Sequence, residues 1–360
     1  MNKHSLALLV LTTCAGTALA QTSSLTMYGI MDAGVVREGG GANGAVTKVT
    51  SGVGSASRLG FRGVEDLGGG MAAIFTLESG IKIDTGEADV NGSLFQRQSF
   101  GGLKTPYGSL TLGRQYTPYF QAVTQVGDPF KTGYVGNAKS LLATSGNGTR
   151  ASNTIYYLSP EKNGWFADLA YSAGEQAGDD AAGRQIGASL GYSGGPLKAR
   201  LAYNNRNSDV AATTAAPAIS HGIGTNVLLA TNYDFGSFKG YFSYGVDKGY
   251  NSAPFGVAHA YAGIVPTPSI DSRDLLLGVQ LLLGNGTFSV MYMRKDDRTG
   301  LNQDAQQSSV AYSYPLSKRT DVYAAYAKIN NRNGAGYTVV NSTESGSGNS
   351  AATLGLRLFF

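Results

Sequence analysis

From Trp165 to Tyr171 the chain alternates with a period of two. Trp165, Ala167, Leu169 and Tyr171 fall on one side of an extended backbone. The next stretches repeat the pattern. Ile186, Ala188, Leu190 and Tyr192 oppose Gly187, Ser189 and Gly191, and Leu197, Ala199, Leu201 and Tyr203 oppose Lys198, Arg200 and Ala202. Phe238, Gly240, Phe242, Tyr244 and Val246 oppose Lys239, Tyr241, Ser243 and Gly245, and the C-terminus sets Ala352, Leu354, Leu356, Leu358 and Phe360 against Thr353, Gly355 and Arg357. This is the periodicity of a strand with one apolar face. Segments of this kind begin near Leu25, Ser55, Met71, Ser93, Ser109, Ser152, Trp165, Arg184, Pro196, Asn226, Ser237, Arg273, Thr287, Gln306, Arg319 and Ala351, sixteen in all. The segment from Arg273 to Gly284 is apolar on both faces, so its orientation stays open.

The connections between segments are of two kinds, in alternation. Seven are short and hold Gly, Pro, Asn or Asp: Glu65 to Gly70, Lys104 to Gly108, Pro160 to Gly164, Ser193 to Pro196, Asp234 to Gly236, Gly284 to Gly286, and Pro315 to Lys318. Those are the residues of tight reversals. Eight are long and polar: Arg37 to Gly54, Ile81 to Gly92, Thr117 to Thr149, Gly174 to Gly183, Asn205 to Gly224, Lys248 to Asp271, Arg298 to Ala305, and Asn330 to Ser350. Fifteen alternating connections imply sixteen antiparallel strands, with short turns on one rim and long loops on the other.

After Gln21 no stretch approaches the roughly 18 continuous apolar residues of a membrane-spanning helix. If the chain crosses a membrane, a closed barrel is the remaining way to satisfy its backbone. Apolar faces ending in Tyr or Phe fit the aromatic girdles of such a barrel, and sixteen strands enclose a lumen too wide for side chains to fill. The expected fold is therefore all-β, a 16-stranded antiparallel transmembrane barrel with water inside. A solenoid or a set of sandwiches would also alternate, but no fixed-period repeat and no linker divides the sequence. Residues 21–360 read as one domain.

The first 20 residues read as a signal peptide. Lys3 and His4 precede an apolar run from Leu6 to Leu11, and Ala18-Leu19-Ala20 is a small-residue cleavage signal, which places the cut at Ala20/Gln21. Leu11-Thr12-Thr13-Cys14 is the alternative, a lipoprotein site, with Thr13 a poor residue before the cysteine. Cys14 is the one cysteine and falls inside the leader, so the mature chain has neither disulfide nor thiol chemistry. With 51 Gly and 21 Tyr against 10 Pro, the composition favours strands, turns and interfacial aromatics. A formal net charge of +4, unclustered, argues against a nucleic-acid partner.

Several blocks together carry a family resemblance. They are Leu25-Thr26-Met27-Tyr28-Gly29-Ile30-Met31-Asp32-Ala33-Gly34, the run from Ser57-Arg58-Leu59-Gly60-Phe61 to Gly70, Phe95-Gln96-Arg97-Gln98-Ser99-Phe100, Gly108-Ser109-Leu110-Thr111-Leu112-Gly113-Arg114-Gln115, Leu316-Ser317-Lys318-Arg319-Thr320, and the terminal Phe360. From end to end the chain resembles the general diffusion porins of Gram-negative bacteria, in the branch typical of β-proteobacteria. The resemblance implies an outer-membrane homotrimer surrounded by lipid and lipopolysaccharide. It implies a third long loop folded into the lumen, and a C-terminal aromatic, here Phe360, read by the barrel-assembly machinery. It implies passive diffusion of small hydrophilic solutes and requires no cofactor. No ligand cluster for a metal is legible.

A pore needs a narrow point and a field across it. The third loop, Thr117 to Thr149, is long enough to supply the first, and Gly127-Asp128-Pro129-Phe130 resembles the family's loop tip. Pro129 would fix the backbone and Phe130 pin the loop to the wall. Opposite the loop the family places arginines, and the matching positions are Arg58, Arg97 and Arg150. Alternation agrees for Arg58, which shares a side with Gly60 and Arg62, and for Arg150, which shares one with Ser152, Thr154 and Tyr156. Arg97 rests on the resemblance. Arg114 falls on the side of Leu110 and Leu112, so either a bulge intervenes or it faces away from the lumen. Glu78, in phase with Ala72, Ile74 and Thr76, is expected to line the lumen and moderate the arginines. The loop carries one acid, Asp128, against Lys131 and Lys139, so the constriction is expected to be net positive and to prefer small anions while passing neutral solutes.

Other classes find less support. An enzyme would need nucleophile, base and orienter together. The chain beyond the leader has two histidines, His221 and His259, both in long loops, with no Gly-x-Ser-x-Gly elbow and no His-x-x-x-His pair. A channel specific for organic acids or phosphate, and a surface adhesin using the long loops, remain open alternatives.

Overall fold

The computed structural model describes residues 23–144, 148–210, 219–249 and 269–360. The leader, its cleavage site and His259 lie outside the described residues. The strands in chain order are β1 (Ser23–Gly41), β2 (Gly44–Ser51), β3 (Arg58–Gly68), β4 (Met71–Lys82), β5 (Glu87–Ala88), β6 (Gln98–Thr105), β7 (Gly108–Tyr116), β8 (Arg150–Leu158) and β9 (Trp165–Ser172). Then follow β10 (Gln185–Gly194), β11 (Leu197–Val210), β12 (Ile219–Asp234), β13 (Phe238–Gly249), β14 (Asp271–Leu283), β15 (Gly286–Asp297), β16 (Ala305–Pro315), β17 (Thr320–Asn331) and β18 (Ser350–Phe359). Two of these are loop hairpins: β2 folds back on the far half of β1, and β5 pairs with the end of β4. The other sixteen form a closed antiparallel ring. Closure is made by β1, which pairs with β3 from Ser23 to Ile30 and with β18 from Ile30 to Gly39.

Burial shows which way the wall faces. Met27, Met31, Val35, Leu169, Leu190 and Leu201 are exposed, whereas Asp32, Glu38, Asp168 and Arg200 are buried. A water-soluble domain would reverse this pattern. Apolar outside and polar inside, with aromatic clusters at the short turns such as Trp165–Tyr192 and Phe235–Phe238, is the wall of a membrane barrel.

Most strand starts agree closely with the sequence pattern; the strand expected from Ser93 begins only at Gln98, after turns that hold Arg97, and the other differences have a common cause. Most of Arg37 to Gly54 is strand rather than loop, and β11 and β12 run to Val210 and from Ile219, into the connection expected from Asn205 to Gly224. These extensions carry polar residues on both sides, so they hold no apolar alternation to read. The open orientation of Arg273 to Gly284 is also explained: Asp274 and Leu276 are buried, while Leu277 and Val279 are exposed. Leu276 is apolar although it faces inward because another part of the chain covers it.

That part is the third long connection. It packs Tyr119, Val123, Val126, Phe130, Val135 and Leu141 against inward-facing Leu228, Leu276, Met291, Met293, Ala327 and Ile329 in one apolar cluster. Burying a large side chain stabilises by roughly 1.5–3 kcal/mol, so these contacts offset part of the cost of ordering the loop. Polar wall side chains fix its path. Asn232 donates to Val126 O at 2.8 Å, Gln280 to Pro129 O at 3.3 Å, and both Gln307 and Ser309 to Gly136 O at 2.7 Å. Gly278 leaves room for the loop tip, since a Cβ there would sit 2.8 Å from Pro129 Cγ.

Candidate functional site

The third connection starts with a short helix, α1 (Pro118–Ala122). The Thr117 hydroxyl caps it by accepting from Phe120 N at 3.1 Å and ties its base by donating to Gly148 O at 2.6 Å. A π turn follows over Val123–Gly127. Gly127 O then accepts a long bond from Ser243. The tip is organised by Asp128, whose carboxylate accepts from the backbone N–H groups of Phe130 (2.8 Å), Thr132 (2.9 Å) and Ala138 (3.1 Å). Burial pushes this carboxyl up to about 6 against those three bonds. Asp128, expected from the sequence as an acid in the passage, is instead 1 % exposed, because three donors draw it into the loop.

Inside the ring, two cavities of about 600 and 680 Å³ lie end to end. Asp128 lines neither of them. The first opens toward the long loops, through Asp89, Lys139, Ser342 and Thr343. The second opens toward the short turns, through Thr287, Ser313 and Phe359, and takes in Pro129, Phe130 and Arg357. Both are lined by Ser55, Arg58, Thr124, Gln125 and Lys131, which ring the junction. Arg58 comes from the wall and Lys131 from the loop tip facing it.

Arg97 and Arg150 line the first cavity beside Arg58. Glu78 is the shared counter-ion of Arg97 and Arg58, 2.8 Å from Arg97 Nε and 3.6 Å from Arg58 Nε, and it also accepts from the Tyr28 hydroxyl at 3.0 Å. The Tyr116 hydroxyl accepts from Arg97 at 2.8 Å and from Arg150 at 3.0 Å. The Arg150 guanidinium also lies over the Tyr116 ring, 4.6 Å from its centre, and that ring stacks on Phe120 of α1 at 5.2 Å. The five cations of the first cavity, Arg58, Arg97, Lys131, Lys139 and Arg150, face one lining acid, Asp89. Lys139 donates to Ser342 O at 2.7 Å. Burial, and then the charges of Arg150 and Arg97, push its ammonium down to about 7.

The alternation argument for Arg150 does not hold, although Arg150 reaches the cavity. A bulge on β8 puts Gln115 opposite Ala151 after Gly113 opposite Thr154, so Ala151 turns inward and Ser152 is exposed. Arg150 reaches in because the strand begins there, beside the base of the loop. Arg114 lies outside the cluster, donating to Gln96 O and the Ser152 hydroxyl. Phe360 pairs backbone to backbone with Gly29, closing the seam between the last strand and the first. His221, expected in a loop, lies on β12, where it pairs with Asp209 of β11 and with Asp179, and it lines neither cavity.

Sequence reading missed Tyr116 and the last long connection. Nothing periodic marks Tyr116, since it ends a strand. The last connection did carry a sign: Ala335, Tyr337 and Val339 are apolar in a polar stretch, and all three are buried. It folds inward, so that Val340 O accepts from Gly136 N at 2.8 Å and the Ser342 hydroxyl accepts from Ala56 N at 3.0 Å.

Comparison with known proteins places this geometry in a context. A family model described as Gram-negative porin matches residues 6–334. The chain is 30% identical over 350 residues to outer membrane porin protein 32 of Delftia acidovorans, covering 92% of this chain and 90% of the relative. It is 29% identical to an outer membrane porin protein of Bordetella pertussis, covering 91% and 94%. Among solved structures, the anion-selective porin from Comamonas acidovorans superposes with a TM-score of 0.74 at 27% identity, covering 94% of this chain and all of that one.

Proposed function

The chain belongs to the Gram-negative porin family and so resides in the outer membrane, and from that premise we propose that it forms a water-filled, anion-preferring channel for small hydrophilic solutes. The observation that carries the preference is the junction of the two cavities, where Arg58 and Lys131 face each other with Arg97 and Arg150 immediately beyond. One acid, Glu78, is spent pairing two of the arginines, and Asp128 is withdrawn into the loop. Two unit charges 4 Å apart interact by about 1 kcal/mol in bulk water and by more beside a low-dielectric wall. The Debye length of about 8 Å at physiological salt leaves a solute in so narrow a passage poorly screened. Cations are repelled and anions are concentrated. The anion-selective neighbour supports the same reading.

The channel conducts passively and assembles as a homotrimer, with Phe360 as the signal that the assembly machinery reads. No step needs a cofactor. The combined substitution Arg58→Gln, Arg97→Gln and Arg150→Gln is expected to lower or reverse the chloride-over-potassium permeability ratio in planar bilayers. An unchanged ratio would contradict the assignment.

A further inference from the structure

Tyr116 occupies a chemically constrained position. A phenolic oxygen has one hydrogen to donate and lone pairs to accept with, whereas a guanidinium only donates. The contacts from Arg97 at 2.8 Å and Arg150 at 3.0 Å can therefore run in one direction only, with the Tyr116 oxygen accepting both. Its own O–H is left to donate, and no acceptor among the described residues takes it. Tyr116 lines the first cavity together with Arg97 and Arg150, so that hydrogen belongs to whatever enters there. Two charged donors on the oxygen polarise the O–H bond and strengthen it as a donor.

We propose, building on the anion-channel reading, that Tyr116 is a specificity-determining hydrogen-bond donor which, with the flanking guanidinium groups of Arg97 and Arg150, favours small oxyanions over halide. A carboxylate or a phosphate has several oxygens fixed at an angle. It can meet a guanidinium fork with one edge and the phenol with another oxygen. Chloride is a single sphere and cannot satisfy separate directional donors in that way. The arginines set the sign of the charge admitted, and Tyr116 sets the shape of the anion that is eased through. Phe120 stacks on the ring, so the first helix of the loop holds the donor in place.

The test uses the full mature channel in planar bilayers at pH 6, with bi-ionic reversal potentials for dihydrogen phosphate against chloride and for acetate against chloride. Tyr116→Phe keeps the ring and removes the hydroxyl. It is expected to lower both oxyanion-over-chloride ratios by roughly three- to tenfold, the net scale of one ordinary hydrogen bond in a hydrated site. That fall should exceed any change in the chloride-over-potassium ratio. Replacing Tyr116 with 3-fluorotyrosine gives a stronger donor that is a weaker acceptor, and it should raise the oxyanion ratios above those of the wild type. Unchanged ratios in Tyr116→Phe would overturn the proposal. So would ratios that fall in both variants, because the hydroxyl would then act only by bracing the arginines. A wild-type protein that conducts cations preferentially would refute the anion-channel reading itself, a result distinguishable from either of these.

Discussion

Lys139 and Asp128 titrate on the same loop, and their shifts add. Burial and the neighbouring arginines lower Lys139 to about 7, so it is largely neutral at pH 8 and charged at pH 5.5. Burial raises Asp128 to about 6, so it is anionic at pH 8 and largely neutral at pH 5.5. Both changes make the loop more positive as pH falls. The chloride-over-potassium permeability ratio is therefore expected to rise between pH 8 and pH 5.5, and Lys139→Met should remove the part of the rise centred near pH 7. A ratio that falls on acidification would contradict the placement of these groups. Asp128 carries a second expectation. Asp128→Ala leaves the N–H groups of Phe130, Thr132 and Ala138 without their carboxylate, at a cost of about 1–3 kcal/mol for each donor left unsatisfied. The loop tip should loosen, giving larger and noisier single-channel conductance while the barrel still folds. This residue also shows where sequence reading stops. Arg58 and Glu78 were legible because they lie inside alternating strands. The role of Asp128 depends on the loop's turns, with Lys131, Thr132 and Tyr134 all at positive φ, and loops have no period from which to infer it.

At the scale of elements, fifteen connections of alternating length and the turn residues within them were enough to place the sixteen wall strands. Three features escaped for separate reasons. The strand extensions beyond the membrane are polar on both sides. The bulge on β8 adds a residue without any change in composition. The inward apolar positions of β14 and β15, such as Leu276 and Met293, make sense only once the third loop lies across them. The closing seam offers a test at this scale. A Cβ on Gly29 would sit 2.2 Å from Phe360 Cζ and 2.7 Å from Arg58 O. Gly29→Val should displace the terminal ring just where β1 passes from β3 to β18. The heat-modifiable, folded fraction recovered on assembly is expected to drop, and undiminished recovery would show that the seam does not depend on this contact.

The whole molecule is an inverted protein, with its apolar surface outside and its polar groups turned inward to water and to one another. That inversion leaves an interior able to hold a permanent charge imbalance, because the lumen stays hydrated and need not be neutralised as a dry core must be. Elsewhere on the inner wall, the buried cations among the described residues are matched. Arg200 pairs with Asp168, and Lys295 lies between Asp274 and Asp247. In the first cavity, by contrast, five lining cations face one lining acid, and selectivity is expected to arise where it meets the second. The decisive measurement is the zero-current potential of the purified wild-type protein in a planar bilayer under a potassium chloride gradient. Stepwise conductance with the dilute side negative is the predicted result, since anions cross faster than cations. A positive dilute side would contradict the charge assigned to the junction, and a correctly folded protein without conductance would contradict the channel.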